Sequence, residues 1–516
     1  MISDTVTTSD RTADADIIVV GGGGSGLTAA IFARQAGASV ILLEKHSEVR
    51  GSTGLSIGSI TATGTRLQRK AGVVDSAQAH FEDMPKFAPE LAKNDNEELR
   101  RLLVENVADS VAWLESLGVT FYGPMPEPPH SEPRMHNILP NSRAYIYFLK
   151  REAQRVGVEI RLNSPVDDLV LDENGRVTGV KLKTGGRTLT ARKAVILASG
   201  DYSSSAQWKG RFDEAVRDID GVNTTNTGDG HRMGEKLGAE VKFGQVMYGP
   251  NLRFMPPPRP NFLQKLPPWP WFTRLMRWSL NSLPSWALRP FILSFVTTYL
   301  SPEPTMFEQG AVLVNRQGKR FTDELDKPNY AFGQQVEKQA FIVFDEAVAT
   351  KFSAWPYFIS TAPGVAYAYL PDYKRTRPDL YSTALTLGDL ATKIGVPADT
   401  LQAEISSHNV KAKAEGRPGV EKGRYYALGP VKSWIILTDG GLTVNARHQV
   451  TRGNGSIVEG LYAVGSVGQG GLLLEGHGHH LAWAFTSGRL AALNSVADQS
   501  SPRAGEKRKN QISRTT

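Results

Sequence analysis

The stretch that decides the fold is Asp16-Ile-Ile-Val-Val20, followed at once by Gly21-Gly-Gly-Gly-Ser-Gly26. The β-branched run predicts a buried parallel strand, and residues 27–36 after the glycines predict a helix. A second apolar run at 39–43 predicts the next strand and completes a β–α–β unit. The pattern predicts a doubly wound α/β sheet that starts near the beginning of the chain.

Three of these glycines have the spacing G-x-G-x-x-G: Gly21, Gly23 and Gly26. The first permits a tight turn, the second lets a pyrophosphate approach the backbone, and the third lets helix and strand pack closely. Glu44 ends the second strand, where its carboxylate can accept hydrogen bonds from ribose hydroxyls. Strand, glycine turn, helix and acid together predict a dinucleotide site, for either NAD or FAD.

The composition excludes several classes of protein. The chain has 516 residues, enough for two or three domains, and contains no cysteine, which excludes disulfides, thiolate metal sites and cysteine nucleophiles. The net charge of +7 falls within residues 241–302, which hold seven Lys and Arg and no Asp or Glu. Because this basic segment is also rich in tryptophan, it favours a membrane surface as partner and disfavours nucleic acid.

The chain alternates between two styles of sequence. Residues 158–162, 166–171 and 177–182 resemble a β-meander, residues 193–200 predict another buried strand, and residues 64–155 predict mostly helix. The nucleotide-binding style returns near residue 430 and ends in a helix over 480–496. We therefore expect the following parts: a nucleotide-binding domain in two segments, 14–240 and 430–496; an inserted α+β cap or substrate domain, 241–429, with a Trp-rich basic insertion at 254–302; and a disordered basic tail, 497–516.

Five further motifs resemble those of one flavoprotein superfamily, that of fumarate reductase, succinate dehydrogenase and the 3-ketosteroid dehydrogenases. They are Arg50–Gly58, Asn226–Gly230, Gln309–Glu324, Thr438–Leu442 and Gly460–Gly465. The resemblance spans residues 16 to about 495. It implies a glutathione-reductase-type, Rossmann-like FAD domain interrupted by the cap domain, and its site character is nearest to the 3-ketosteroid dehydrogenase branch.

The resemblance also implies which residues contact FAD. They are Gly21, Gly23, Gly24, Ser25, Gly26, Glu44, Lys45, Ser52, Thr53, Ile57, Gly58, Val166, Ala198, Gly200, Asp229, Leu437, Gly465, Ser466, His480 and Leu481. Relatives that attach flavin covalently use a histidine near positions 51–53, and because Ser52 and Thr53 stand here, non-covalent FAD is expected. The final helix would direct its N-terminus at the flavin pyrimidine.

The family's dicarboxylate reductases hold substrate with groups that this chain lacks. Ile436 and Leu437 stand before the T-x-G-G-type motif, where those enzymes have a histidine, and Glu475 stands near the position of an arginine. Tyr248-Gly-Pro250 replaces their H-P-T segment. A small di-anion would be repelled by Glu475, so fumarate and succinate are disfavoured as substrates.

A ketone substrate needs hydrogen-bond donors for its oxygen and a base for its α proton. The 3-ketosteroid dehydrogenases supply these with tyrosines and a backbone N–H, and the resemblance implies Gly478 for the backbone donor. Tyr248 is the first candidate tyrosine and Tyr122 the second. His479 is a candidate acid, base or donor. The histidines of this loop also admit a metal site, but no metal is predicted because neighbouring side chains in a glycine-rich loop rarely converge.

The reaction expected first is FAD-dependent α,β-desaturation of a lipophilic, steroid-like or cyclic ketone, with an external electron acceptor or donor. Two alternatives remain: an enone or enoate reductase of the fumarate reductase type, and a non-catalytic, membrane-associated flavin-binding redox partner. Residues 1–14 do not resemble a signal peptide, and no apolar run is long enough to span a bilayer. We expect a cytoplasmic protein, attached through residues 262–300 to the inner face of the membrane. The alternative for this segment is a cap-domain core or dimer contact.

Overall fold

A computed structural model describes residues 13–498 apart from 259–264, 285–287, 290–292, 294–296, 298–299, 363–365 and 422. The predicted tail from 499 onward and most of the segment 285–299 lie outside the described residues. The chain forms two compact units. The first comprises the described residues of Met1–Asp201, Gly228–Gly244 and Asp439–Thr516, and the second those of Tyr202–Thr227 and Gln245–Thr438.

The described strands are β1 (Ala15–Val20), β2 (Val40–Leu43), β3 (Ser59–Thr61), β4 (Thr120–Met125), β5 (Met135–Leu139), β6 (Glu159–Arg161), β7 (Val166–Leu171), β8 (Val177–Leu182), β9 (Thr188–Leu197), β10 (Asp220–Gly221), β11 (Val241–Lys242), β12 (Met247–Tyr248), β13 (Asn251–Phe254), β14 (Val312–Asn315), β15 (Ala340–Asp345), β16 (Ser360–Ala362), β17 (Ala366–Ala368), β18 (Tyr381–Ala384), β19 (Tyr425–Ile435), β20 (Leu437–Thr438), β21 (Gly441–Leu442), β22 (Gln449–Thr451) and β23 (Ile457–Ala463). The described α-helices are α1 (Gly24–Gln35), α2 (Arg66–Lys70), α3 (Ala77–Asp83), α4 (Glu97–Leu117), α5 (Arg143–Arg155), α6 (Ala206–Phe212), α7 (Asp229–Glu235), α8 (Pro270–Ser282), α9 (Thr305–Glu308), α10 (Glu346–Lys351), α11 (Leu370–Thr376), α12 (Leu387–Ile394), α13 (Ala398–Ala414) and α14 (His479–Ala497).

The first unit is built on a sheet in the order β22–β23–β9–β1–β2–β6. The five strands from β23 to β6 are parallel, and β22 is antiparallel to β23. Ile17 at its centre pairs with Val40 on one side and Ala194 on the other. The central strands β1 and β2 are buried almost throughout, as expected of parallel strands covered on both faces.

One prediction for this unit needs correction. The run at 158–162 does not join a meander, because β6 pairs in parallel with β2, and the antiparallel set is β7–β8–β9. The stretch 64–155 is mostly helical as predicted, and it also holds β4 and β5, which form a small sheet with β3. The parallel partner of β6 lies far away in the chain, and local patterns do not record such pairing.

The second unit is an α+β domain around β19, which pairs with β15, β13 and β18 in antiparallel fashion and with β10 in parallel. The predicted insertion 241–429 lies largely in this unit. Residues 202–227 belong to it because β10 pairs with β19, and β19 itself continues through residue 435. The predicted fold class is confirmed: a doubly wound α/β domain interrupted by an α+β domain.

Candidate active site

Two glycines, one in the turn after β1 and one in the first turn of α1, lie so close to other backbone atoms that no side chain fits there. A Cβ on Gly21, whose φ is +113°, would lie 2.3 Å from the carbonyl oxygen of Ala198. A Cβ on Gly26 would lie 1.9 Å from the carbonyl oxygen of Gly21. These two glycines therefore allow the helix and the neighbouring strand to approach β1.

Gly23 differs, because the protein itself leaves space beside it. The nearest atom to a Cβ there would be the Cα of Gly51, at an ordinary contact distance of 3.7 Å. Gly23 is the N-cap of α1 and has no side chain of its own to cap that helix. Uncapped amides at a helix start bind phosphate groups, so the cradle fits the pyrophosphate of a dinucleotide. Thr53 contributes here as well, since its Oγ1 accepts a hydrogen bond from the Gly24 amide at 3.1 Å.

The predicted acid lies directly beside this turn. Glu44 is buried, and its Oε2 accepts a hydrogen bond from the Gly22 amide at 2.7 Å while its Oε1 accepts one from His46 at 2.8 Å. Next to it in the chain, Lys45 forms an ion pair of 2.8 Å with Asp229 on α7. The structure thus brings together the predicted adenosine-side residues of two distant segments. Other predicted contacts of this unit come from further segments. Val166 starts β7, Ala198 and Gly200 follow β9, Ser52 and Thr53 lie in a short 3₁₀ turn, and Gly465 follows β23.

Gly465 packs against the first helix. A Cβ on this residue would lie 2.7 Å from the Oγ of Ser25, and its amide donates to the Oγ of Ser487 at 2.9 Å. Ser466 follows in a half-buried position, and Leu481 is buried in the first turn of α14. The contacts explain why a glycine follows β23, since any side chain would separate α1 from this loop.

The start of α14 lies against β3. Gly478 is its N-cap at φ +92°, and a Cβ there would lie 2.6 Å from the backbone nitrogen of Thr61. The hydroxyl of Thr61 donates to the carbonyl oxygen of His477 at 2.5 Å. Gly58 precedes the same strand, and its carbonyl accepts from the Tyr145 hydroxyl at 2.9 Å. Gly478 has no side chain to cap α14, and the start of this helix carries the partial positive charge of the helix dipole.

His480 is anchored by an acid that the sequence analysis did not single out. Its Nε2 lies 2.6 Å from the Oδ1 of Asp439, which is fully buried. Asp439 belongs to the T-D-G-G motif, so the motif was the available signal. The carbonyl of Gly440 in the same loop lies 2.8 Å from the Nε2 of His231 on α7, and burial lowers the pKa of His231 to about 4. These contacts connect the loop before β21 to the first turn of α14 and to α7.

His479 is buried in a group of aromatic rings. Its Nδ1 donates to the Glu475 carbonyl at 2.6 Å, its Nε2 lies 3.2 Å from the Nε2 of His80, and burial lowers its pKa to about 3. His80, His130 and His479 each offer one ring nitrogen within 4.8 Å of the others, a spacing that admits a metal ion. However, Arg134 donates to the Nδ1 of His130 at 2.9 Å, which leaves the proton of this neutral ring on Nε2. The geometry therefore favours a packed cluster of neutral histidines.

A buried ion-pair network supports that cluster. Arg134 is fully buried and contacts Asp75 at 2.7 Å and Asp83 at 2.5 Å. Its hydrogen bonds hold the pKa of the Asp83 carboxyl far below its usual range, although burial acts in the opposite direction. No local pattern indicates this network, because Asp75 lies just before α3, Asp83 at the end of α3 and Arg134 in the loop before β5, far along the chain.

The two candidate tyrosines lie in different units. Tyr122, in the first unit, is opposite Asn137 in the small sheet, and Asn137 is opposite Ser59 on β3. Tyr248, in the second unit, is opposite Leu437 in the pair β12–β20. Both side chains are partly exposed. The structure therefore groups Tyr122 with the strand that follows Gly58, and Tyr248 with the predicted flavin contact Leu437.

The segment that leads into α14, together with the first half of that helix, carries no permanently charged basic side chain. Residues 453–488 contain no Lys or Arg, and Glu475 is their acidic residue nearest to the start of the helix. His477 pairs with Glu127 at 2.5 Å, and this hydrogen bond raises the pKa of His477. Its positive charge, where present, is already matched by a carboxylate. A substrate with two carboxylates would find no unmatched cationic side chain in this segment.

Comparison with known proteins shows the family of this chain. The model of the family described as "FAD binding domain" matches residues 16–261 and 304–473. The chain is 26% identical to the fumarate reductase (cytochrome) of Shewanella frigidimarina over 92% of its length and 76% of that protein's. It is 25% identical to the urocanate reductase of Eggerthella lenta, covering 94% of this chain and 75% of the relative. It is also 25% identical to the NADH:fumarate oxidoreductase of Klebsiella pneumoniae, of which it spans only 44%.

Solved structures show the same fold. A flavocytochrome c3 fumarate reductase in an open conformation superimposes with a TM-score of 0.66 at 25% identity, covering 93% of this chain and 78% of that one. The 3-ketosteroid-Δ4-(5α)-dehydrogenase of Rhodococcus jostii RHA1 has a TM-score of 0.56 at 22% identity, covering 95% of this chain and 99% of that one. The glycine cradle, Glu44 and the uncapped helix α1 fit the FAD that such a family binds.

Proposed function

This chain belongs to the FAD binding domain family, and on that premise we propose that it is an oxidoreductase for carbon–carbon bonds next to a carbonyl group. The proposed substrate is a neutral, lipophilic, steroid-like or cyclic ketone. The observation that supports this choice is the segment 453–488, which lacks Lys and Arg and carries Glu475. A dicarboxylate needs cationic partners to offset its lost hydration, whereas an uncharged ketone needs only hydrogen-bond donors.

Bound FAD, held without a covalent bond, would supply hydride exchange. The residues of the chain would provide the rest of the chemistry. We propose that the amide of Gly478 donates a hydrogen bond to the ketone oxygen, which gains negative charge during the reaction. The N-terminus of α14 adds its partial positive charge to the same oxygen. The proton on the α carbon would be taken by the phenolate form of Tyr248, and Tyr122 is the second candidate for this base.

His479 fits a positioning role better than a catalytic one. Its ring is fully buried, and both nitrogens already face partners, the Glu475 carbonyl and His80. Because it is the first residue of α14 and follows Gly478 directly, its packing would fix the donor amide. His480, whose ring is held by Asp439, would orient the same helical turn toward the cofactor.

The proposed direction is desaturation of the ketone, with electrons passed to an external acceptor. The second candidate is reduction of an enone or enoate by an external donor. The names of the curated relatives favour that second candidate, since they include a fumarate reductase, a urocanate reductase and a vinyl phenol reductase. A non-catalytic flavin-binding role is the third. Because a lipophilic substrate partitions into bilayers, the proposal includes a cytoplasmic enzyme attached at the periphery of a membrane.

An anaerobic absorbance titration separates these functions. The oxidised holoenzyme is titrated with saturated cyclic ketones, including ketosteroids, and with succinate, and the reduced holoenzyme with enones and fumarate. Bleaching by a ketone supports desaturation, and recolouring only by enones supports the reductase. Bleaching by succinate alone, or recolouring by fumarate alone, contradicts the proposed neutral substrate. No change with any of them leaves the non-catalytic role.

The tyrosine is tested in the same assay. Tyr248→Phe should retain FAD and slow flavin reduction by about 10²–10⁴-fold, the usual contribution of a positioned proton acceptor. Tyr147→Phe is the matched control, because this tyrosine is 44% exposed on α5 and has no proposed role. An unchanged rate for Tyr248→Phe, together with a slow Tyr122→Phe, would transfer the role to Tyr122.

A further inference from the structure

Three large apolar side chains of the helix α8 are exposed on one side of it. Trp271, Leu275 and Trp278 are 62%, 50% and 58% exposed, whereas Thr273 is buried. At about 100° per residue, these three side chains fall within about 60° of one another around the helix, and Thr273 lies on the opposite side. A helix of a soluble domain normally has the reverse arrangement, with the apolar stripe buried. This stripe of Trp271, Leu275 and Trp278 is called the α8 stripe.

The surroundings of the α8 stripe are basic and aromatic. Trp269 precedes the helix, is 50% exposed and has its ring centroid 6.1 Å from that of Trp271. Arg274 and Arg277 lie on the same helix, and residues 241–302 contain no Asp or Glu. A partner must therefore offer an apolar layer for the indoles and negative charge for the guanidinium groups.

We propose that the α8 stripe is a membrane-docking surface for an anionic lipid bilayer, on which α8 lies parallel to the membrane plane. Tryptophan is favoured at the level of the lipid headgroups, where its ring enters the acyl boundary and its N–H stays hydrated. By the same spacing Arg274 and Arg277 both lie on one flank of the stripe, where their guanidinium groups can reach anionic headgroups. None of the described helices has the length and apolar character required to cross a bilayer, so the docking is in the interface. The inference rests on the peripheral location included in the proposed function and is independent of the proposed reaction.

The experiment measures binding of the FAD-loaded full chain to sedimented vesicles. Vesicles of phosphatidylcholine with phosphatidylserine should bind the protein, and those of phosphatidylcholine alone should bind it much more weakly. The double substitution Trp271→Ser with Trp278→Ser should reduce binding to the anionic vesicles by about tenfold or more. Arg274→Gln and Arg277→Gln should each reduce it by about fivefold, and high salt should do the same.

Trp355→Ser is the matched control, because this tryptophan is 65% exposed in the same unit but lies outside α8. It should bind vesicles as the wild type does. The flavin absorbance of every variant reports that the protein is folded, and bleaching by a water-soluble ketone without vesicles tests the reaction separately. Wild-type binding by the double tryptophan variant would overturn the proposal. A wild-type protein that does not bind anionic vesicles would also overturn it. If the wild type then self-associates and the double tryptophan variant does not, the α8 stripe binds a second copy of the chain.

Discussion

Gly23→Ala tests whether the space beside this glycine is required for folding or for FAD binding. Its backbone, at φ −82° and ψ −171°, is extended and available to alanine, and the added methyl would have its nearest protein atom at 3.7 Å. The apoprotein should therefore stay within about 1 kcal/mol of the wild type in its free energy of unfolding, because the stiffer unfolded chain offsets the poorer N-cap that alanine makes. FAD should suffer instead, because the methyl occupies the approach of the pyrophosphate to the start of α1. Loss of two charged hydrogen bonds at about 1.5–3 kcal/mol each predicts about 10²–10⁴-fold weaker binding.

Gly26→Ala provides the contrast. Its methyl would lie 1.9 Å from the Gly21 carbonyl, and a backbone atom cannot move aside easily. The apoprotein itself should lose stability, by about 1–3 kcal/mol or more. The assay pairs urea unfolding of each apoprotein with FAD binding followed by quenching of flavin fluorescence. The reasoning fails if Gly23→Ala binds FAD with wild-type affinity, or if its apoprotein is destabilised as much as that of Gly26→Ala.

Three further substitutions test the interior of the first unit. Glu44→Gln should weaken FAD binding by about 10–100-fold in the same fluorescence titration, since the amide cannot accept from two donors as the buried carboxylate does; unchanged affinity would remove Glu44 from the site. His448 is fully buried, and burial lowers its pKa to about 3. As the pH falls below about 6.5, this imidazole takes up a proton in the unfolded chain but not in the folded protein, so the free energy of unfolding decreases. His448→Asn should therefore abolish about 1.4 kcal/mol of the stability loss between pH 7.5 and 5.5 in urea unfolding, and an equal loss in both proteins would contradict this. Arg134→Met should lower the free energy of unfolding by about 3–5 kcal/mol, because it leaves the buried Asp75 without its cation and Asp83 with only the exposed Lys86. Arg66→Met, which breaks the ion pair of a 61% exposed arginine, should lower it by about 0–1 kcal/mol, and equal costs would refute the distinction.

The parts of the fold that were predictable are those written in consecutive residues. The strand at 16–20, the glycine turn, the helix after it and Glu44 form one continuous segment, and the structure places each as expected. The final helix began at His479, one residue before its predicted start. Its apolar residues and the preceding glycine were sufficient signals.

The parts that were not predictable depend on partners far away in the chain. The Nε2 atoms of His80 and His479 meet across 399 positions, and Arg134 reaches acids that lie in and just before α3. Nothing in the local sequence of a histidine tells whether it will be buried against another ring or exposed to a substrate. His479 therefore looked like an acid or base from its loop, and the packing that makes it a buried neutral group became visible only in three dimensions.

The proposed preference for a neutral substrate rests on where positive charge is available. Between residues 453 and 488 the backbone at the start of α14 is the only permanent source of it, and a helix N-terminus is equivalent to about half an elementary charge. Half a charge is well matched to the oxygen of a ketone, which becomes negative only during the reaction. It is too little for two carboxylates that carry full charge throughout, and Glu475 opposes them further. The same helix start thus favours a developing oxyanion over a permanent di-anion, because its contribution increases with the charge that the reaction creates.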